Sequence, residues 1–231
     1  MATLMKHLYV AFIAAIAFES CGVFGTLDWV KVVERPNCRR FDVTLTIECD
    51  KPWFFNKPSS SQFSMLCRYC REGIARYWSR DISYGGRTWE VKVNTDLKSS
   101  GDRKIVEVQW HESSSRSHNS DILDMTVKYM SKRSDAAALF KETCAHEIGH
   151  SFLRDAHSTF YSWGHKGTSS IFGGTNEDAP YYPSRGEIDL MKYYNGGRPR
   201  DFYNRVIAAE SDVKDLVFKV RDSFTTDSGR C

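Results

Sequence analysis

The stretch Ser134–His150, SDAAALFKETCAHEIGH, predicts the helix around which the rest of the chain is arranged. Ser134-Asp135 is a typical helix start, and an alanine-rich run follows it. Histidine then recurs at a spacing of four, in His146 and His150. This spacing puts both imidazoles on one face of the helix, with Cβ atoms about 5–6 Å apart.

Alternation of apolar and polar residues predicts β-strands on the N-terminal side of this helix. The turn-forming residues 98–102 separate two of the alternating segments, so those two are predicted to form a hairpin. The predicted strands are residues 29–33, 41–48, 89–93, 106–110 and 123–129.

Helical periodicity marks three further segments. Apolar residues recur at intervals of three and four over 62–81, which is typical of an amphipathic helix, and Tyr84-Gly85-Gly86 predicts its end. Residues 186–194 predict a short helix and residues 201–221 a final one. Residues 151–185 have no periodicity, and long irregular segments inside a compact domain are usually functional.

Composition fixes the broad class of the chain. Its 231 residues are 41% hydrophobic and 26% charged, which argues against disorder. The 32 basic and 29 acidic residues are balanced and form no cationic block, so no nucleic-acid partner is predicted. We expect one α+β domain over residues 26–231, with a twisted sheet that is mostly antiparallel or mixed.

The N-terminal residues 1–25 predict a signal peptide and hence a secreted protein. Lys6 precedes the apolar run 8–18, and small residues follow it. Cleavage is expected after Gly25, with Ser20 as the alternative. The apolar run is too short to span a bilayer, so no stable membrane insertion is predicted.

Removal of that segment leaves six of the seven cysteines, an even number in a secreted chain. Six cysteines allow 15 pairings, so the sequence leaves the connectivity open. Cys67 and Cys70 have redox-pair or zinc-knuckle spacing, but their helical setting favours structural disulfides. Arg35-Pro-Asn-Cys38 weakly resembles a cysteine switch, in which a thiolate covers a zinc ion, and a disulfide is again favoured for Cys38.

The residues His146-Glu147-Ile148-Gly149-His150 form the pattern HExxH. On a helix, the two histidines of this pattern can bind one Zn²⁺, and Glu147 can act as the general base for a water. A catalytic zinc takes three protein ligands and leaves a fourth position open.

The third ligand is left open among several residues. His157 is the preferred candidate because the segment around it resembles a known clan of zinc enzymes, so the predicted metal set is His146, His150 and His157. Glu187, His165 and Asp155 are also candidates for this position.

The segment His146–His157 resembles the metzincin clan of zinc metallopeptidases, whose motif is HExxHxxGxxH. This chain has Leu153 at the glycine position, and its third histidine comes one residue late, after Ala156. Ser170-Ile171-Phe172 is similar to the clan's Met-turn, with Phe172 in place of methionine. The short segment 186–196 is similar to the end of matrixin-type domains, and the upstream half is more weakly similar to metallopeptidase domains of bacterial polymorphic toxins.

The resemblance implies a single metzincin-like domain and a secreted zinc endopeptidase with one Zn²⁺ and a polypeptide substrate. Glu147 would be its catalytic residue. Three different functions stay open beside this one. They are a toxin-like or binding module with a decayed site, a gluzincin-type peptidase with Glu187 as the third ligand, and a zinc hydrolase of a non-peptide amide.

Overall fold

The computed structural model describes residues 27–53, 57–110, 117–119, 123–126, 134–171 and 174–231. The predicted signal peptide, residues 1–25, and Phe172 of the predicted Met-turn lie outside the described residues. The described residues form the expected α+β fold around one hydrophobic core.

Strands and helices alternate irregularly along the chain, and most of the strands precede the helix that begins at Ala136. The strands are β1 (Leu27–Arg35), β2 (Arg40–Asp50), β3 (Arg80–Tyr84), β4 (Arg87–Leu97), β5 (Lys104–Gln109), β6 (His118–Asn119), β7 (Leu123–Thr126), β8 (Ile188–Asp189), β9 (Val206–Ile207) and β10 (Arg221–Thr226). The α-helices are α1 (Ser60–Trp78), α2 (Ala136–Ala156), α3 (Thr159–Trp163), α4 (Phe202–Arg205) and α5 (Glu210–Phe218). Within the described ranges, no helix has both the length and the apolar character needed to cross a bilayer.

Strand β2 is the centre of the main sheet. Its alternating residues Phe41, Val43, Leu45 and Ile47 are all fully buried, as the sequence pattern predicts. β1 pairs with it antiparallel, whereas β4 and β5 pair with it parallel. β10 extends the sheet beyond β1, and β7 followed by β6 extends it beyond β5. The sheet is therefore mixed, which is one of the two forms expected from the sequence.

The predicted hairpin between residues 89–93 and 106–110 is wrong. β4 and β5 contain these segments, but each pairs with β2. The hairpin partner of β4 is β3, across a turn in which Gly85 and Gly86 have φ of 56° and 73°. Two consecutive positive φ angles are typical of a tight hairpin turn. The glycines therefore form this turn, and helix α1 ends earlier, at Trp78.

Helices α1 and α2 pack closely on each other. The backbone carbonyl of Lys141 lies where a Cβ atom on Gly73 would stand, so a glycine is required at this crossing. The indole Nε1 of Trp78 donates a hydrogen bond of 2.9 Å to the carbonyl of Ala145. Every residue of α2 from Cys144 to Leu153 is buried. The part of the helix that carries HExxH is thus buried.

Neither of the two helices predicted in the C-terminal part occurs as predicted. Residues 186–194 contain the two-residue strand β8 instead of a helix. Residues 201–221 are divided into α4, β9 and α5, because β9 pairs in parallel with β8 and interrupts the helix. Strand β10 follows and pairs with β1, which no sequence pattern had predicted.

Three disulfides join the six cysteines that were predicted to be structural. Cys70 bonds to Cys144, with Cα atoms 5.3 Å apart, and so links α1 to α2. Cys67 bonds to Cys49 instead of forming a redox pair with Cys70. The remaining pair joins Cys38 to Cys231, which places Cys38 in a disulfide and not in a cysteine switch.

Candidate metal centre

Helix α2 carries the three predicted site residues His146, Glu147 and His150. Each is less than a tenth exposed. The ring centroids of the two histidines lie 4.9 Å apart, as the spacing of four residues requires. The sequence pattern thus correctly places both imidazoles on one helix face.

The structure brings His165 to these two histidines. The metal-ligating atoms of His146, His150 and His165 all lie within 4.8 Å of one another. His165 is also buried, and its ring centroid is 5.2 Å from that of His146 and 4.9 Å from that of His150. The three histidines are thus close enough together to form one candidate metal site.

Hydrogen bonds fix the tautomers of the two helical histidines. The Nδ1 of His146 lies 2.7 Å from the carbonyl oxygen of Leu190, which can only accept, so this nitrogen carries the proton. The Nδ1 of His150 lies 3.0 Å from the hydroxyl of Ser162, whose own proton is donated to the carbonyl of His150 at 2.8 Å. The His150 Nδ1 is therefore a donor too. In both rings the lone pair is on Nε2.

The same hydrogen-bond pattern occurs at His165. Its Nδ1 lies 2.6 Å from the hydroxyl of Ser169, and that hydroxyl donates to the carbonyl of Ser170. The three imidazoles are thus held in one tautomer by protein oxygens. Metal-binding histidines are typically oriented in this way, with the second nitrogen donating to an oxygen.

The loop after α3 positions His165. His165, Lys166 and Gly167 have φ of 47°, 60° and 84°, three successive left-handed conformations. Side chains disfavour this region, so the first two residues need support from their surroundings. Lys166 supplies an anchor, since its buried ammonium lies 2.6 Å from Asp189 and 2.9 Å from Asp212. Burial opposes its charge, but the two carboxylates outweigh burial and raise the pKa of Lys166.

His157, the predicted third ligand, lies outside the cluster. It is the residue after α2, and its Nε2 is 2.7 Å from a carboxylate oxygen of Asp215. It follows His150 by seven positions, a distance of about 10 Å along the helix axis. The metzincin motif implies a bend at the glycine position, but Leu153 is buried within a helix that runs on to Ala156.

Glu187 and Asp155, the two acidic candidates for the third ligand, also lie away from the cluster. Glu187 is 60% exposed in its side chain, and it pairs with Arg80 at 3.0 Å. Asp155 pairs with Arg154 at 3.2 Å on the last turn of α2. Neither carboxylate belongs to the group formed by the three histidines.

The sequence contained a signal for His165. Phe152, Leu153 and Ala156 continue the apolar pattern of α2 beyond the second histidine. This continuation predicts a straight helix, which would keep His157 away from any metal ion held by His146 and His150. His165, which follows Gly164 in the irregular segment, then remains as the next histidine of the chain.

A cavity of about 360 Å³ opens beside His146 and Glu147. Its walls include Tyr193, whose ring stacks on His165 with centroids 3.8 Å apart. The amide of Asn119, on edge strand β6, donates hydrogen bonds to the backbone carbonyl of Glu147 and to a hydroxyl on the next turn of the helix. The cavity therefore gives a ligand room next to both the histidine cluster and a carboxylate.

One ion pair with a buried carboxylate lies in the same cavity wall. Glu142 is one turn before His146 on α2 and lies 3.5 Å from the guanidinium of Arg198. Burial raises the pKa of Glu142, and the nearby guanidinium opposes this shift only in part. The cavity thus carries carboxyl groups at two points, Glu142 and Glu147.

Comparison of the chain with protein-family models, with curated proteins and with solved structures found no match.

Proposed function

We propose that this chain is a secreted zinc metallopeptidase in which His146, His150 and His165 hold Zn²⁺ and Glu147 is the general base. The observation that carries the proposal is the cluster of three buried imidazoles, each with Nδ1 donating to a protein oxygen. His165 replaces the His157 of the sequence-based ligand set.

The donor set fits a catalytic zinc ion. Imidazole is a common zinc ligand, and three protein ligands that leave one position open are typical of catalytic sites. The Nδ1 hydrogen bonds leave Nε2 as the basic nitrogen of each ring.

The chemistry follows from the positions of the side chains. When bound, Zn²⁺ lowers the pKa of a water towards about 7 and polarises a carbonyl oxygen. Glu147 follows the first ligand on the same helix and takes the proton of the attacking water, then passes it to the leaving amine. The cavity next to Glu147 receives the substrate and shields the reacting groups.

The position of Leu153 also bears on the possibility of a decayed site. Its departure from the metzincin motif suggests loss of the third ligand. Against this, Leu153 is a buried core residue, and the position of His165 beside His146 and His150 supports a complete set of three ligands. A gluzincin-type site has less support, because Glu187 is an exposed partner of Arg80.

Secretion is supported by the three disulfides, which persist in oxidising compartments. The polypeptide substrate rests on the resemblance to metzincins alone. Hydrolysis of a non-peptide amide would use the same groups.

Elemental analysis of the purified chain tests the proposal, together with a hydrolysis assay on folded and unfolded polypeptides. One zinc per chain and hydrolysis that is lost in Glu147→Ala are expected. Absence of zinc after metal loading would overturn the proposal. Zinc retention without hydrolysis of any substrate would instead favour a metal-containing binding module.

A further inference from the structure

We infer that Lys166 is a positioning residue for the metal centre, and that its ion pairs with Asp189 and Asp212 align two of the three histidines. The inference rests on the proposed function, since it concerns the same histidine cluster. The three residues together are called the lysine clasp.

The clasp is buried and tightly paired. The ammonium of Lys166 lies 2.6 Å from one oxygen of Asp189 and 2.9 Å from both oxygens of Asp212. The side chains of Lys166 and Asp212 are 7% and 2% exposed. A buried charge group of this kind is costly to form, and it can fix one arrangement of the chain.

One side of the clasp controls His165. Lys166 is the next residue in the chain, and both residues have positive φ. An L-residue leaves this conformation unless its side chain or its neighbours hold it there. The ion pairs hold Lys166 from its far end, and so they fix the direction in which the preceding histidine leaves the backbone.

The other side of the clasp controls His146. Asp189 divides its two carboxylate oxygens, one accepting from Lys166 and the other from the amide of Met191 at 2.9 Å. Leu190 lies between these two anchored residues, and its carbonyl accepts the Nδ1 proton of His146. One ammonium therefore links the turn that orients the first histidine to the turn that carries the third.

Asp212 ties the clasp to the body of the domain. It lies in the first turn of α5, and the following Val213 is fully buried in the core. Lys166 is not among the residues that line the cavity beside His146, so it acts through the ligands and not on a substrate.

The test is metal binding by Lys166→Met, with Lys141→Met as the matched control. Lys141 also pairs with a carboxylate, that of Glu72, away from the histidine cluster. Zinc affinity is measured by competition with a chromophoric chelator, and ligand geometry by the visible absorption of the cobalt-loaded protein. Substitution of residues that orient metal ligands typically weakens metal binding by about 10–100-fold, and this is the loss expected for Lys166→Met.

The cobalt spectrum separates positioning from general stability. The Lys166→Met spectrum should resemble that of His165→Ala, whereas Lys141→Met should keep the parental spectrum and affinity. Lys166→Arg should restore part of the affinity, because it keeps the charge. If Lys166→Met has parental affinity and spectrum, the inference is wrong.

A second variant removes the risk of misfolding through unpaired carboxylates. The triple variant Lys166→Met, Asp189→Asn, Asp212→Asn carries no buried charge at the clasp, and removal of a whole buried ion group is tolerated better than removal of one partner. It should also lose about 10–100-fold in zinc affinity. A folded triple variant with parental zinc binding would overturn the inference. A parental chain that binds neither metal would overturn the proposed function itself.

Discussion

Replacement of His165 by alanine removes one ligand of the proposed metal centre, whereas replacement of His157 leaves all three in place. Structural zinc sites with four ligands bind with about 10–16 kcal/mol, or about 3 kcal/mol for each ligand. Loss of about 3 kcal/mol weakens binding by about 150-fold. We expect a loss of this size in His165→Ala.

His157→Ala provides the matched control. It removes an imidazole that is 35% exposed and pairs with Asp215 at 2.7 Å. Solvent screening limits such a pair to about 1 kcal/mol of folding free energy. Asp215 keeps its second partner, Lys219, at 2.7 Å. The zinc affinity of this variant should therefore equal that of the parent.

The assay is titration of each metal-free protein against a chelator of known zinc affinity, with thermal unfolding measured in parallel. A loss of zinc in His157→Ala with retention in His165→Ala would refute the assignment of the third ligand. Equal losses in both variants would show that the separation of His157 from the cluster is not maintained in solution.

Three further outcomes are expected. Glu147→Ala should keep zinc and lower the hydrolysis rate by about 10²–10⁴-fold, the usual contribution of a general base, so parental turnover would exclude this role. Gly149→Ala should lower the free energy of unfolding by about 1–3 kcal/mol, because its Cβ would stand 2.7 Å from Trp78 in a filled core; calorimetry checks this. Burial raises the folded-state pKa of Glu142 above its unfolded value near 4.5, so this residue's contribution to stability is present below that pH and is lost as pH rises through the folded pKa. Glu142→Gln should remove this decline. The measurement is the free energy of unfolding in urea, taken from about pH 4 to 8 for the parent and the variant. The same pH dependence in both proteins would contradict the reasoning.

Periodicity predicted the parts of the fold in which one face of an element is buried. The alternation from Phe41 to Glu48 identified β2, and the helical stripe identified α1, because each pattern reflects a face in the core. Pairing was predicted less well. Alternation predicts that β4 and β5 are strands. It does not predict that both pair with β2, because β2 lies far from them in the sequence.

The residues of the candidate site also differ in how well the local sequence predicts them. His146, Glu147 and His150 follow from local helix geometry, so the sequence was sufficient for them. The third histidine depends on where the chain goes after the helix. His165 reaches the cluster through a left-handed turn, and the next residue of that turn, Lys166, pairs with two distant carboxylates that no local sequence pattern identifies.

The pairing of β1 with β10 sets the order in which the chain can mature. Residues 27–34 find their parallel neighbour at 221–226, and Cys38 finds its partner 193 positions later. During synthesis, β1 and the thiol of Cys38 cannot pair until nearly the whole described chain has left the ribosome. Cys49 and Cys67, only 18 positions apart, can join much sooner. The pairing of β10 with β1 is therefore expected to form late. Folding is expected to be slow and to benefit from a disulfide isomerase.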